Sequence, residues 1–186
     1  MKILAFGASN SKDSINQHLA HYTARKISKG RYNIEMVELS NYEPEIYSVD
    51  REIKHGIPLE AKELFNKIEE SDIIVISFAE HNGSYTAVYK NIFDWMSRIN
   101  PKVFNNKKLV YLSTSPGEYG AANVLATAVG SVSYFGGDLV GSLSVPHFQE
   151  NFSVKREEII NPDLNNKLEE MIKGLWNPFN LNLKMH

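Results

Sequence analysis

Short apolar runs alternate along this chain with longer stretches in which apolar residues recur every three or four positions. Ile3–Phe6, Ile73–Phe78 and Leu109–Ser113 are continuous and rich in branched side chains. Strands buried on both faces of a parallel sheet have this pattern. Tyr32–Leu39 is mixed, as an outer strand is, and Leu139–Val145 alternates through Leu139, Gly141, Leu143 and Val145, which fits an edge strand. Helical spacing links Ile15, Leu19 and Tyr22, then Ala61, Leu64, Phe65 and Ile68, then Val88, Ile92, Trp95 and Ile99. A fourth set is Ala121, Leu125, Ala128, Val132 and Phe135, with Gly136-Gly137 expected to end the helix. The fifth is Leu164, Leu168, Met171, Ile172 and Leu175, opened by Asn161 as N-cap and Pro162 at the first helical position.

Five strand-then-helix repeats demand crossover connections. They predict an α/β fold with a mostly parallel sheet and helices on both faces. No linker divides the chain, so residues 1–186 read as one domain. Ser40–Gly56 reads as an irregular polar excursion and Asn177–His186 as a loosely held tail.

Composition narrows the functional classes. Apolar residues are 42% and charged residues 23% of the 186, an ordinary globular balance, and the formal charge is -2. Bulk charge therefore predicts no nucleic-acid or anionic-membrane partner. Cysteine is absent, which removes disulfides, thiol nucleophiles and iron–sulfur ligands together. No stretch approaches the roughly 20 apolar residues that cross a bilayer, and the expected setting is soluble and cytoplasmic. His18 and His21 stand three apart on one helix. With no acidic partner beside them they read as a solvated face, and no metal site is expected. Lys155-Arg156-Glu157-Glu158 reads as a balanced surface face.

In an open parallel sheet, ligands bind beyond the carboxyl ends of the strands where the strand order reverses. Three loops lie there. Gly7-Ala8-Ser9-Asn10-Ser11-Lys12-Asp13-Ser14-Ile15-Asn16 is crowded with hydroxyls and amides and runs into a helix. A helix start offers unpaired N–H groups and a positive dipole end, suited to a phosphate. A plain helix cap by Ser14 or Asp13 explains the same residues equally well. Neither a P-loop nor the dinucleotide glycine pattern is present. Ala79-Glu80-His81-Asn82-Gly83-Ser84-Tyr85 follows the third strand, and Ser113-Thr114-Ser115-Pro116-Gly117 the fourth. Both contain turn residues that let backbone approach a ligand closely.

Glu80-His81-Asn82-Gly83-Ser84, continued by Lys90-Asn91-Ile92-Phe93-Asp94-Trp95, is similar to the P-E-Y-N-G-S…K-N-x-x-D-W signature of the NADPH-dependent FMN reductase family. That family includes quinone, chromate and azo-dye reductases. Ser9, Ser14 and Asn16 fall on the Ser, Ser and Asn of its G-S-x-R-x-x-S-x-N phosphate loop, and Ser115-Pro116-Gly117 resembles its third flavin-contacting loop. The likeness runs from Met1 to about Val145. Ser11 stands where many members have arginine, with Lys12 beside it. Ala79 and His81 stand where proline and tyrosine are usual, and Thr86 replaces a common proline.

The resemblance implies a flavodoxin-like three-layer sandwich with strand order 2-1-3-4-5. It implies FMN and NAD(P)H as cofactors, with electrons passed to a flavin, quinone, azo compound or metal oxyanion in a ping-pong cycle. The phosphate would be held by Ser9, Ser11, Lys12, Ser14, Ile15 and Asn16. The ring edge would be shaped by Ala79, Glu80, His81, Asn82 and Gly83, and bordered by Ser113, Ser115, Pro116 and Gly117, with backbone N–H groups near Ser115–Gly117 as donors. No protein acid or base is required for hydride transfer, and none is assigned. The resemblance also implies a homodimer or homotetramer through helix 86–99. A second apolar stripe there, Tyr85, Tyr89, Phe93 and Met96, points the same way, although one broad buried face within the monomer explains it too. A flavodoxin-type electron carrier and a non-catalytic binding module remain as alternatives.

Overall fold

The computed structural model describes residues 1–176; the expected tail, Asn177–His186, lies outside them. The five strands are β1 (Lys2–Ala8), β2 (Asn33–Met36), β3 (Ile73–Phe78), β4 (Lys108–Thr114) and β5 (Asp138–Val145), parallel throughout in the order β2-β1-β3-β4-β5. The five main helices are α1 (Ile15–Ser28), α2 (Leu59–Glu69), α3 (Ala87–Ile99), α4 (Ala122–Ser131) and α5 (Pro162–Lys173). One face of the sheet packs Leu4, Phe6, Ile74 and Ile76 against α2, α3 and α4, and the other packs Ile3, Ala5, Val75 and Val110 against α1 and α5. This is the expected three-layer architecture, with β1 and β3 side by side where the order reverses.

The caps follow from the sequence. Ser14 accepts from the Gln17 N–H, Thr86 from the Tyr89 N–H, and Asn161 from the Asp163 and Leu164 N–H groups ahead of Pro162. Helix α4 stops at Ser131, before Gly136-Gly137, and the chain turns through 132–136 with Gly136 at φ 76°. Gly7 has a steric reason: a Cβ there would stand 2.5 Å from the Gln17 backbone nitrogen. Only glycine lets the start of α1 sit this close to β1, and that places the helix N-terminus at the strand's end.

One expectation needs correction. The excursion 40–56 is ordered by contacts with α3 and contains a short helix, Val49–His55, capped by Ser48. The Asn91 amide donates to the carbonyl oxygens of Pro44 and Glu45 and accepts from the Tyr47 N–H at 2.8 Å. Trp95 Nε1 donates to the Glu45 carbonyl at 2.7 Å, and its ring meets Tyr47 edge-on. The polar pattern had hidden this, because the partners lie some 45 residues away.

The apolar stripe on α3 is divided between core and surface. Tyr89, Phe93 and Met96 are all buried inside this chain, packed on Phe78, Phe104 and Phe135. These three belong to one broad core face, while Tyr85 is only partly buried and lines, with Tyr89 and Phe93, an open cleft between α3 and α4.

Candidate functional site

The three loops converge. A cavity of about 220 Å³ at the carboxyl edge of the sheet is lined from the first loop by Ser9, Ser11, Asp13, Ser14, Ile15 and Asn16, from the second by Ala79, Glu80 and His81, and from the third by Thr114, Ser115 and Pro116. Ser9 and Ser14 are buried, while Ser11 is exposed at the rim. The Ser9 hydroxyl accepts from the Ser11 N–H, which folds the loop over the start of α1. In the first turn, Ser14 takes the Gln17 N–H. The N–H groups of Ile15 and Asn16 have no partner within the helix. Hydroxyl and amide donors at the positive end of α1 match the acceptor oxygens of a phosphate ester.

Each loop is fastened by a residue of another. Asn16 is buried, and its Oδ1 accepts from the Ser77 hydroxyl at 2.7 Å and the Thr114 N–H at 3.1 Å. Its Nδ2 donates to the Thr114 carbonyl at 3.1 Å. One amide thus ties α1 to the ends of β3 and β4. Thr86 donates to the Ala8 carbonyl at 2.8 Å while capping α3. Ala121, ahead of α4, has no capping side chain and sits at φ 61°. The cap comes instead from Glu80, which accepts from the Val124 N–H at 2.9 Å and from the Asn123 amide. The second loop is thereby clamped to the start of α4.

Ser9, Ser11, Ser14, Ile15, Asn16, Ala79, Glu80, His81, Ser115 and Pro116 line one cavity. Asn82 and Gly83, at φ 53° and 77°, form the tip of a two-residue turn joining Glu80–His81 to Ser84–Tyr85, outside the lining. Lys12 faces a side pocket with Glu38 and Ser40. Ser113 is turned inward and donates to the Gly120 carbonyl, and Gly117 is outside the lining, its carbonyl taken by the His147 N–H. Asp13 and Thr114 line the cavity without having been singled out as site residues. Their membership in the first and third loops was the available signal.

His21 is partly buried and not simply solvated. Gln17 Oε1 accepts from the Gly7 N–H at 2.7 Å, so its amide nitrogen faces outward to the Val37 carbonyl and to His21 Nε2, the latter at 2.7 Å. That orientation makes His21 Nε2 an acceptor, which requires a neutral ring. Burial first, then Arg25 and His18, lower its pKa to about 4. Among the described residues no three His, Asp or Glu side chains are placed to hold a metal.

A larger cavity, about 530 Å³, lies at the opposite edge between the ends of α1 and α5. Two ion pairs cross it, Arg25 with Glu157 and Lys26 with Glu169, and Lys29, Arg156, Glu158 and Lys173 also line it. It draws on none of the three loops.

A family model described as NADPH-dependent FMN reductase matches residues 1–150. An uncharacterised protein of Mycoplasma pneumoniae is 29% identical over 150 residues, covering 77% of this chain and 86% of that one. A quinone reductase of Escherichia coli is 30% identical over 77 residues, 41% of each chain. Among solved structures, the flavoenzyme NAD(P)H:(acceptor) oxidoreductase FerB from Paracoccus denitrificans superposes with a TM-score of 0.71 at 23% identity, covering 92% of this chain and 93% of that one. At that identity the likeness concerns the fold.

Proposed function

We propose, from the premise that this chain belongs to the NADPH-dependent FMN reductase family of FMN-using oxidoreductases, that it passes electrons from NAD(P)H to a small conjugated acceptor, a quinone being the favoured class. The donor set fits the cofactor: hydroxyls and first-turn N–H groups suit its phosphate, and an open edge between the Ala79–His81 and Thr114–Pro116 segments suits a flat ring. When bound, FMN supplies the hydride-accepting and electron-donating chemistry.

The protein's part is binding and orientation. Ser9, Ser11 and Ser14 would hold the phosphate, with Lys12 beside them offsetting the Asp13 carboxylate at the rim. Ala79–His81 would border the ring. The backbone of Ser115 and Pro116 would border it from the other side, where the Ser115 N–H, the one backbone donor of the two, stabilises negative charge as it develops. The pinned loops keep these groups placed before the cofactor arrives, which lowers the ordering cost of binding. NAD(P)H and the acceptor would use the same open edge in turn, giving ping-pong kinetics. The small E. coli match, to a quinone reductase, supports the acceptor class.

No helix among the described residues is long and apolar enough to cross a membrane. The cysteine-free sequence supports a reducing, cytoplasmic setting, and the whole chain reads as one domain. Assembly through helix 86–99 now rests on the family resemblance.

The convergence of three loops on one cavity carries this reading. The test is to purify the protein, add FMN, record the visible spectrum, and follow NADPH oxidation with menadione. Saturable FMN binding and menadione-dependent, parallel-line initial-rate kinetics are expected. Absence of FMN affinity overturns the proposal.

A further inference from the structure

The two segments that border the open edge of the cavity are held differently. On the third-loop side, the Gly120 carbonyl accepts from the Ser113 and Ser144 hydroxyls at 2.7 and 2.9 Å. The Ser115 carbonyl accepts from the Phe148 N–H and the Gly117 carbonyl from the His147 N–H, both at 3.1 Å. That wall is fixed by β4, β5 and the chain after β5. The opposite wall enters a two-residue hairpin in which His81, Asn82, Gly83 and Ser84 are all exposed. A lone hairpin of this size has little stability of its own. Among the described residues, the hydrogen bonds running from residues 79–84 to residues 115–124 all end on Glu80, whose carboxylate takes the Val124 N–H at 2.9 Å and the Asn123 amide at 3.3 Å. Helix α4 needs that partner, because Ala121 ahead of it offers no capping oxygen.

We propose that Glu80 is a positioning residue for the flavin ring: its reach to the first turn of α4 sets the spacing between the Ala79–His81 wall and the Ser115–Pro116 wall before the cofactor enters. This inference rests on the FMN reading of the cavity. Reach, not charge, is the property that does this. Aspartate keeps the charge but is one methylene shorter, about 1.5 Å, and loses the α4 N–H. Glutamine loses the charge but keeps the length and an acceptor oxygen. Without the clamp the hairpin wall is ordered only as the ligand binds, at a cost in affinity. That cost falls on any ligand carrying the ring and leaves the phosphate's contribution, made at the first loop, untouched.

The experiment titrates FMN and riboflavin into full-length, flavin-free protein and follows the quenching of flavin fluorescence. Riboflavin carries the ring without the phosphate, so the ratio of the two dissociation constants reads the phosphate alone. Glu80→Ala and Glu80→Asp should each weaken both flavins by about fivefold, the worth of one helix cap, with the ratio unchanged. Glu80→Gln should bind both within about twofold of wild type. Ser14→Ala, in the phosphate loop, should by contrast narrow the ratio. Should Glu80→Ala fail to fold, Asn123→Ala removes the weaker of the two bonds and should weaken both flavins equally, by about twofold. A loss confined to FMN overturns the proposal. So does Glu80→Asp matching wild type while Glu80→Gln fails, which would make charge the operative property. A lowered urea midpoint for Glu80→Ala with both affinities unchanged also overturns it, leaving Glu80 a helix cap and nothing more. Wild-type protein that binds neither flavin sinks the FMN reading and this inference together, whereas the other adverse results overturn this inference alone.

Discussion

Replacing Asn16 with alanine tests whether its amide holds the site together. The change strands three groups at once: the Ser77 hydroxyl, the Thr114 N–H and the Thr114 carbonyl. Ser77 and Thr114 are 0% and 1% exposed, so water replaces the lost partner poorly. Each stranded group costs about 1–3 kcal/mol. The lower end applies because Asn16 borders the cavity, through which some water can enter, giving roughly 3 kcal/mol in all. That is a large share of a typical total of about 5–15 kcal/mol. With a urea dependence of about 2 kcal/mol per molar, the unfolding midpoint should fall by about 1.5 M. The assay is urea unfolding of FMN-free protein followed by circular dichroism, so that cofactor linkage does not enter. Asn16→Asp sharpens it. A carboxylate keeps the acceptor for Ser77 and the Thr114 N–H but sets an oxygen against the Thr114 carbonyl. Its folded-state pKa is raised, so its stability is greatest at acid pH and is lost as pH climbs through the carboxylate range. A midpoint shift below about 0.3 M for Asn16→Ala, with FMN affinity abolished, would refute the clip and make Asn16 a cofactor ligand first.

His21 gives a pH dependence of its own. Its folded pKa of about 4 lies below the ordinary 6.5, so between those values the unfolded chain binds the extra proton and stability falls as pH drops. His21→Gln should flatten the urea midpoint across that window, measured at matched ionic strength. Glu80→Ala removes the cross-loop cap on α4 and should cost about 1 kcal/mol, whereas Glu80→Gln keeps an acceptor for the Val124 N–H and should melt within about a degree of wild type. Thr23 carries a buried hydroxyl with no partner among the described residues. Thr23→Val should therefore stabilise by about 1 kcal/mol, seen as a rise of roughly 2–4 °C in melting temperature.

The sheet and its order were legible because burial on two faces leaves a plain sequence signal. Ile73–Phe78 is read to the residue, and the helices fall near their apolar spacing, although α4 ends at Ser131, short of Val132 and Phe135. The convergence of the loops followed from topology, since β1, β3 and β4 are neighbours with parallel direction. What stayed hidden were bonds across long sequence separations. Asn16 and Thr114 are 98 residues apart, and Glu80 and Val124 are 44 apart. No local propensity encodes such a pairing. The stripe on α3 had two readings for a related reason: helical spacing shows that a face is apolar but not which neighbour covers it.

Asn91 and Trp95 show how a motif can serve a site without belonging to it. Both fall in the stretch that resembles the family signature, yet neither lines the cavity. They hold Pro44, Glu45 and Tyr47 against α3. The restrained segment continues back to Glu43, whose carboxylate accepts from Asn10 in the first loop at 2.7 Å. A path of direct contacts therefore runs from α3 through the excursion to the phosphate-side loop, while Thr86 at the head of the same helix bonds Ala8 from the other side. Helix α3 thus grips the first loop at two points, each too distant in sequence for spacing to reveal. Loops held this way have little freedom left to lose when a ligand arrives, and that links the fold's packing to the affinity of the site.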